Sequence, residues 1–505
     1  MGPTLDKIRI LLSGKFYISV ATLLIIVLAS ILRTAHLSAE SVDGDEVFSR
    51  RLALADTART WTLARQDLVH PPLYYFLLKA TIPSGDTSTA SDIRRLSLIS
   101  GAIGTVVVIL IGFAAPEIRV SALLAALLLA LNRVHIFYSQ QARSFALYTA
   151  LVALLLLWKA VADRFWQRPW YWVSGTILMS AITWTHYTGV LFCTACVLPT
   201  TLTSDNGTFG GARRLLPLMA LAVSALLFLP WLIPEMPALL QKDRIAESSG
   251  WQGLPTAFDL KLAFADYVGI PHVRGATTVV FLVGAFLLCC AFLPRGATEP
   301  AVGAGIKLTL AIMAVAPPVF LWLATRPPLQ LPVFAERHVL PAIVPALILM
   351  CHGLTRLAYL VGNSLRGGLV FGLGALMLCG LETAPVYADG PGPIRNPYAA
   401  VAHDLQRSGF HLPVYTTWPY GIGEPVRFYL PAGNRTIYEF PKSEGDAPLP
   451  PRFIVLYRPA VAKENAMIQP LMHQYDIVTS NYYGGIGSIY KTRLLVLSRR
   501  EDLEK

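Results

Sequence analysis

Asp43, Asp45 and Glu46 stand within four positions of one another, just beyond the first long apolar run. A carboxylate beside a membrane can act as a general base on a hydroxyl or amine. It can also ligate a divalent cation, for which Asp45 and Glu46 are the candidates. The same acids could instead favour the N-terminus of an amphipathic helix expected over 47–63. Both readings stand for Asp45 and Glu46, and Asp43 leans toward capping. The same stretch ends in His70-Pro71-Pro72. Two prolines stiffen the turn and fix where His70 points. Alternatively they only open a helix, since proline is favoured in the first turn.

Three further places could hold an anion. Arg143 closes Gln140-Gln141-Ala142-Arg143, His186 and Tyr187 follow Thr185, and Arg337-His338 head the run VLPAIVPALIL. Arginine suits phosphate because its planar fork binds two oxygens at once. The competing reading is interfacial snorkelling, with Tyr138 and Tyr148 as aromatic-belt residues. Acids and cationic groups gathered on one membrane face would suit an acceptor nucleophile meeting a phosphate-linked donor.

These residues need a scaffold, and composition says which. Of 505 residues, 54% are hydrophobic and only 14% charged. Soluble domains carry roughly 25% charged residues, so the chain reads as a polytopic membrane protein. The net charge of +11 comes without a Lys/Arg-rich run interleaved with aromatics, which argues against nucleic acid as a partner. All six cysteines lie in apolar runs, and the Cys193-x-x-Cys196 pair sits in LFCTACVL. Redox or zinc chemistry there would lack polar company, so packing is its expected role.

Runs long enough to span need about 20 residues. They are expected near 16–37, 96–115, 120–138, 144–163, 170–187, 188–204, 214–234, 276–294, 306–325, 338–358 and 366–385, about eleven in all. Leu73–Ile82 is short and carries Lys79, so it is taken as interfacial. One set of loops is then basic, with Arg119, Lys159, Arg164, Arg168, Arg213, Arg214, Arg295, Lys307, Arg356 and Arg366. By the positive-inside bias that side is cytoplasmic. The N-terminus is also cytoplasmic, a signal anchor without an evident cleavage site. The acids, Arg143, His186 and Arg337 fall on the opposite, extracytoplasmic side, with the polar interval 235–275 and the proline-rich loop 326–337.

Residues 1–385 form the expected transmembrane domain, with the first outer loop over 38–95. Beyond a Pro/Gly linker, residues 386–505 change character. AAVAHDLQRSGF and ENAMIQPLMHQY read as helices; PVYTTW, RTIYEF, RFIVLY and RLLVLS read as strands. A small extracytoplasmic α/β domain follows, with a structural or acceptor-docking role.

The ordered set VDGDEVFSRRLA, HPPLYYFLLK, HIFYSQQARSFALY, WTHYTG and ERHVLPAIVP resembles the membrane glycosyltransferases of the GT-C fold. It is most similar to the bacterial branch of the protein O-mannosyltransferase and lipid A aminoarabinose-transferase superfamily, over roughly residues 15–360. The resemblance implies a polyprenyl-phosphate sugar donor and inverting transfer to a lipid, glycan or protein acceptor at the outer face of the inner or plasma membrane. It implies Asp45 as base with Glu46 in support. It makes Arg143 and Arg337 donor-phosphate contacts, beside His70, His186, Tyr187 and His338. Gln141 departs from the family, where an acid is common. The Gly-Lys that follows His-Pro-Pro in eukaryotic relatives is absent, which puts a protein acceptor in doubt. A transporter or lipid flippase with an outward charged cavity is the alternative. It would more often show two repeated halves and mid-membrane acids.

Overall fold

A backbone crossing a bilayer must satisfy its own N–H and C=O groups, so long apolar runs fold as helices. The computed structural model describes residues 3–500 apart from 36, 39, 68–69, 84–87, 203–214, 240–254, 268–273, 294–303, 332, 362–363, 389–396, 408–411, 432–435, 442–447 and 484–491. Much of the interval 235–275, most of the linker, Pro332 and Gly409 therefore lie outside the described residues. The chain divides into two compact units. One is Met1–Ala35, Ala55–Thr81 and Arg94–Ala388; the other is His36–Leu54, Ile82–Ile93 and Asp389–Lys505. The division follows contacts rather than chain order: both ends of the first outer loop cluster with the C-terminal residues.

The first unit is the membrane body. Among the described residues six helices are long and apolar enough to cross: Phe16–Thr34, Ala90–Ala114, Leu216–Ala238, Gly305–Ala324, Glu336–Leu360 and Leu365–Thr383. Pro116–Leu131 and Arg133–Ser139 make a seventh if taken together, bent by 62°. Other expected runs are helical but shorter, including Phe145–Ala160 and Pro169–Thr185, of 16 and 17 residues. A 16-residue helix rises about 24 Å, short of a hydrocarbon core of about 30 Å. Of the about eleven expected spans, six or seven are long and apolar enough to cross by length and composition among the described residues. The apolar runs were longer than the helices because they absorbed break residues such as His186 and Tyr187. Leu73–Thr81 has nine residues and rises about 14 Å, too little to cross.

The helix Ile343–Leu360 sits at the centre of this unit, buried along most of its length. Gly353 allows its close contact with the neighbouring helix, since a Cβ there would overlap the Leu287 carbonyl oxygen. Helices such as Phe16–Thr34 and Leu365–Thr383 bury few positions and leave Leu23, Leu24, Leu373 and Leu376 exposed. Apolar surface of that extent fits lipid rather than water. Cys193 and Cys196 are buried in the apolar core, and all six cysteines are free.

The bend at Asn132 is built from buried polar groups, which must find partners. Asn132 has extended backbone and its Oδ1 accepts from the His135 N–H at 2.9 Å, restarting the helix. Its Nδ2 donates to the Asp266 carbonyl at 3.0 Å and to both Glu382 carboxylate oxygens at 3.1 and 3.2 Å. Arg33, fully buried, donates to the carbonyls of Ala29, Leu129 and Ala130 and to His135 Nδ1 at 2.7 Å.

The second unit carries a five-stranded sheet of order β2-β1-β3-β5-β4. Its strands are β1 Val414–Thr416, β2 Ile437–Glu439, β3 Arg452–Tyr457, β4 Tyr475–Tyr483 and β5 Thr492–Arg499. β1 runs parallel to β2 and β3, while β5 is antiparallel to β3 and β4. β3 and β5 are buried on both faces, which explains their unbroken apolar runs. Ile454, Leu456, Leu494 and Val496 face the helix Tyr398–Arg407 through Val401 and Leu405. Phe453, Val455, Leu495 and Leu497 pack with Ile468 and Tyr475 on the other face. β4 is an edge strand with a register shift between Ile477 and Thr479. It carries Ser480 and Asn481 and shows no apolar alternation, so its sequence does not announce it. The expected helix around Pro470 divides into Ala462–Ile468 and a 3-10 turn Gln469–His473, because proline cannot donate to the preceding turn.

Asn132→Ala strands the Glu382 carboxylate without these donors in an apolar interior. The expected cost is about 1–3 kcal/mol, read as a lower unfolding midpoint of the purified protein in detergent.

Candidate functional site

His70, Arg143, His186 and His338 are brought together in the membrane body, although 268 positions separate the first from the last. Each stands at an interruption between helices. His70 precedes Pro71-Pro72, whose second carbonyl accepts from the Tyr75 and Phe76 N–H groups and starts Leu73–Thr81. Arg143 lies in the turn before Phe145–Ala160, with its N–H on the Gln141 carbonyl at 2.7 Å. Its own carbonyl accepts from Ser97 Oγ at 3.0 Å, and Ser97 is bonded to the Tyr74 hydroxyl. His186 ends Pro169–Thr185 in extended conformation. Arg337 and His338 lie in the 3-10 turn Glu336–Ala342 that leads into Ile343–Leu360.

The rings pack closely. His70 and His186 have centroids 5.1 Å apart, as do His186 and His338. Tyr148 stacks on His186 at 4.9 Å with parallel planes, and Phe145 touches His70, His186 and His338. The Arg143 guanidinium lies 5.7 Å from the Phe145 ring centroid.

Hydrogen bonds fix which nitrogens carry protons. Arg143 Nη2 is 3.2 Å from His70 Nε2. A guanidinium only donates, so Nε2 accepts and the proton of neutral His70 is on Nδ1. The Thr188 N–H reaches His186 Nδ1 at 3.2 Å, so His186 carries its proton on Nε2. Both protonated nitrogens, His70 Nδ1 and His186 Nε2, are buried and without a hydrogen-bond partner among the described residues. His338 differs: its Nδ1 donates to the Val333 carbonyl at 2.9 Å. The group therefore presents two buried N–H donors lacking acceptors, within the positive field of Arg143 and Arg337. Burial pushes the His70 imidazole well below its ordinary range, and Arg143, His186, His338 and Arg337 push it the same way. Such a site can accept an oxyanion.

Tyr187 does not join this group. Its hydroxyl accepts from Trp231 Nε1 at 3.0 Å. Trp231 packs with Trp61 and Trp184, and Arg65, ion-paired to Glu235 at 3.2 Å, lies over Trp61 and Trp231. Neither this aromatic group nor Phe145 and Thr188 was legible as functional; their spacing matches ordinary helix packing.

The acidic residues belong to the other unit. The expected helix 47–63 is two helices, Gly44–Leu54 and Thr57–Asp67. Asp56 separates them by accepting the Arg59 N–H at 2.8 Å, as an N-cap does. At the start of Gly44–Leu54, Asp43 Oδ1 accepts from the Glu46 N–H at 2.8 Å, and Glu46 Oε2 accepts from the Asp43 N–H at 3.3 Å. This is a reciprocal cap, and it engages Asp43 and the buried Glu46. Asp45, between them, takes no part in the cap and is exposed. Among the described residues no three His, Cys, Asp or Glu side chains are grouped to hold a metal ion. Asp45 and Glu46 alone fall short of the six or more oxygens a calcium-type site uses.

Neither a family model nor a curated protein sequence matches this chain. Among solved structures it is similar to apo ArnT from Cupriavidus metallidurans, with a TM-score of 0.56 and 11% identity over 96% of this chain and 98% of that one. The same protein bound to undecaprenyl phosphate gives 0.52 and 14% over 94% and 97%. The Archaeoglobus fulgidus oligosaccharyltransferase in complex with Zn and sulfate gives 0.52 and 12% over 92% and 72%. At these identities the likeness shows a shared fold. That fold is GT-C-like, a multi-pass helical membrane body with a C-terminal α/β domain.

The depressed His70 sets a pH dependence. Below about pH 6.5, the ordinary imidazole value, the unfolded chain takes up a proton that folded His70 refuses. The associated stability is full above that pH and is lost as pH falls. Thermal unfolding at pH 7.5 and 5.5 should show a larger drop for wild type than for His70→Gln.

Proposed function

We propose that the chain is an integral-membrane glycosyltransferase that takes a sugar from a polyprenyl-phosphate donor. The observation that carries this reading is the pair of acceptor-less N–H donors, His70 Nδ1 and His186 Nε2, grouped with Arg143. A leaving phosphate supplies the oxygens such a group lacks. The shared fold supports it, since one protein of that fold holds undecaprenyl phosphate.

The chemistry then follows from charge. The bond between the anomeric carbon and the phosphate oxygen breaks, and negative charge grows on the phosphate. Donors already aimed at that charge lower the barrier without reorganising. Arg143 and Arg337 supply positive charge, and His70 and His186 supply neutral N–H groups. An acceptor hydroxyl or amine attacks the anomeric carbon from the face opposite the phosphate, and its proton passes to Asp45. Glu46 holds the loop that carries Asp45 through its cap. One base and a good leaving group suffice, unlike the two carboxylates of a glycosidase. The configuration inverts, and polyprenyl phosphate is released. The acceptor is a lipid, a glycan or a protein. The basic loops support an extracytoplasmic side for this chemistry and for the C-terminal domain.

The test is transfer from a polyprenyl-phosphate sugar pool by the purified protein in lipid, read by mass spectrometry of released polyprenyl phosphate and of product. Asp45→Asn should slow release by about 10²–10⁴-fold. Arg143→Gln should slow it by about 10²-fold or more. Release equal to wild type in Asp45→Asn would remove that residue from the chemistry. No release by wild type, with flip of the lipid instead, would favour a flippase.

A further inference from the structure

We propose that the segment Trp418–Tyr429 of the C-terminal α/β domain is the platform that positions the acidic loop, with Tyr429 and Gly44 as positioning residues. The inference rests on reading Asp45 as the base, and it assigns the C-terminal domain a task in catalysis.

The platform is itself held rigidly by the sheet. It leaves the end of β1, turns through Pro419–Gly423 and continues as the helix Glu424–Phe428. Ile422 and Val426 are buried in the core beside Val414 and Ile437. Trp418 lies directly against Gly421, where a Cβ would overlap the indole. The Arg458 guanidinium stacks on the indole at 3.9 Å and is ion-paired with buried Glu464. Glu464 also accepts from Thr417 Oγ1 and from the Arg458 N–H, both at 2.8 Å. Side chains from the ends of β1 and β3 thus lock the segment in place.

The loop is tied to that platform at successive residues. Beside it, Ser41 Oγ accepts from the Ala399 N–H of the helix Tyr398–Arg407 at 3.0 Å. The Val42 N–H donates to the Tyr429 hydroxyl at 2.8 Å. Gly44 approaches so closely that a Cβ would stand 2.6 Å from the Tyr420 carbonyl oxygen. The Phe48 ring packs on Tyr420, and Arg50 lies over Phe428. Asp45 follows Gly44 directly, in the first turn of a helix whose start is capped by Asp43 and Glu46. Its backbone is therefore held against the platform. A base must be held near its productive geometry, and a shift of about 1 Å can cost about 10²-fold in rate.

Three variants in lipid nanodiscs test this, with two readouts. Tyr429→Phe removes only the hydroxyl that accepts from Val42. Gly44→Ala forces the loop off Tyr420. Tyr483→Phe removes a comparable hydrogen bond, to Asp404 at 2.8 Å, elsewhere in the domain. Hydrogen exchange over residues 41–48 should accelerate in Tyr429→Phe and not in Tyr483→Phe. In donor turnover, kcat should fall about tenfold in Tyr429→Phe and about 10²-fold in Gly44→Ala. Donor KM should stay within about twofold, since donor binding is untouched. Tyr483→Phe should keep wild-type kcat. Unchanged exchange in Tyr429→Phe, or an equal kcat loss in Tyr483→Phe, would overturn the inference. A wild type without turnover, but with accelerated exchange in Tyr429→Phe, would overturn the role of Asp45 and uphold the anchoring.

Discussion

The hydrogen bond from Arg143 to His70 is the contact on which the site depends. A guanidinium has no lone pair to offer, so it forces His70 Nε2 to accept and drives the imidazole proton to Nδ1. Thr188 imposes the same logic on His186 from the other side. The two rings are turned into donors that nothing else in the described protein satisfies. Desolvation keeps them neutral, so the site gathers donors without stacking up four full positive charges. A buried group of cations alone would repel itself and resist folding.

That arrangement needs helices that stop in the right places. Each contributing residue stands at an interruption: a proline pair after His70, a turn at Arg143, an extended residue at His186, a 3-10 turn at His338. Interruptions free backbone groups that a membrane interior will not tolerate unpaired. The protein meets that demand with side chains. Asn132 serves the break at its own position and holds Glu382, while Arg33 holds the carbonyls at the end of the preceding helix. Buried polar residues of this kind supply the partners that the breaks require.

The acidic loop obeys a different constraint. Its carboxylates divide their labour by position in one helical turn. Asp43 and Glu46, three apart, reach each other's backbone N–H groups. The cap thus engages Asp43 and Glu46, and the proposed base, Asp45, stands between them. The backbone beneath is moulded to Tyr420 and Tyr429, residues nearly four hundred positions away in the chain.

Composition and pattern were enough for the class of protein, for the approximate position of most long apolar helices and for the α/β character of the C-terminal residues. Long apolar runs and doubly buried strands such as β3 leave few alternatives, because their surface has to be removed from water or placed in lipid. Sequence also singled out His70, Arg143, His186 and His338, since buried or interfacial polar groups stand out against an apolar background. Its apolar runs ran past some helix ends, as at His186, because hydropathy does not see a break at a polar residue flanked by apolar ones. It missed β4, whose edge position requires no apolar alternation, and it set Tyr187 beside His186 because the two are adjacent in the chain. Only the tertiary structure turned Tyr187 toward Trp231, fixed the tautomers of the histidines and joined the acidic loop to the C-terminal domain. Those outcomes depend on partners distant in sequence, and a hydrogen bond's direction is decided by both of its ends.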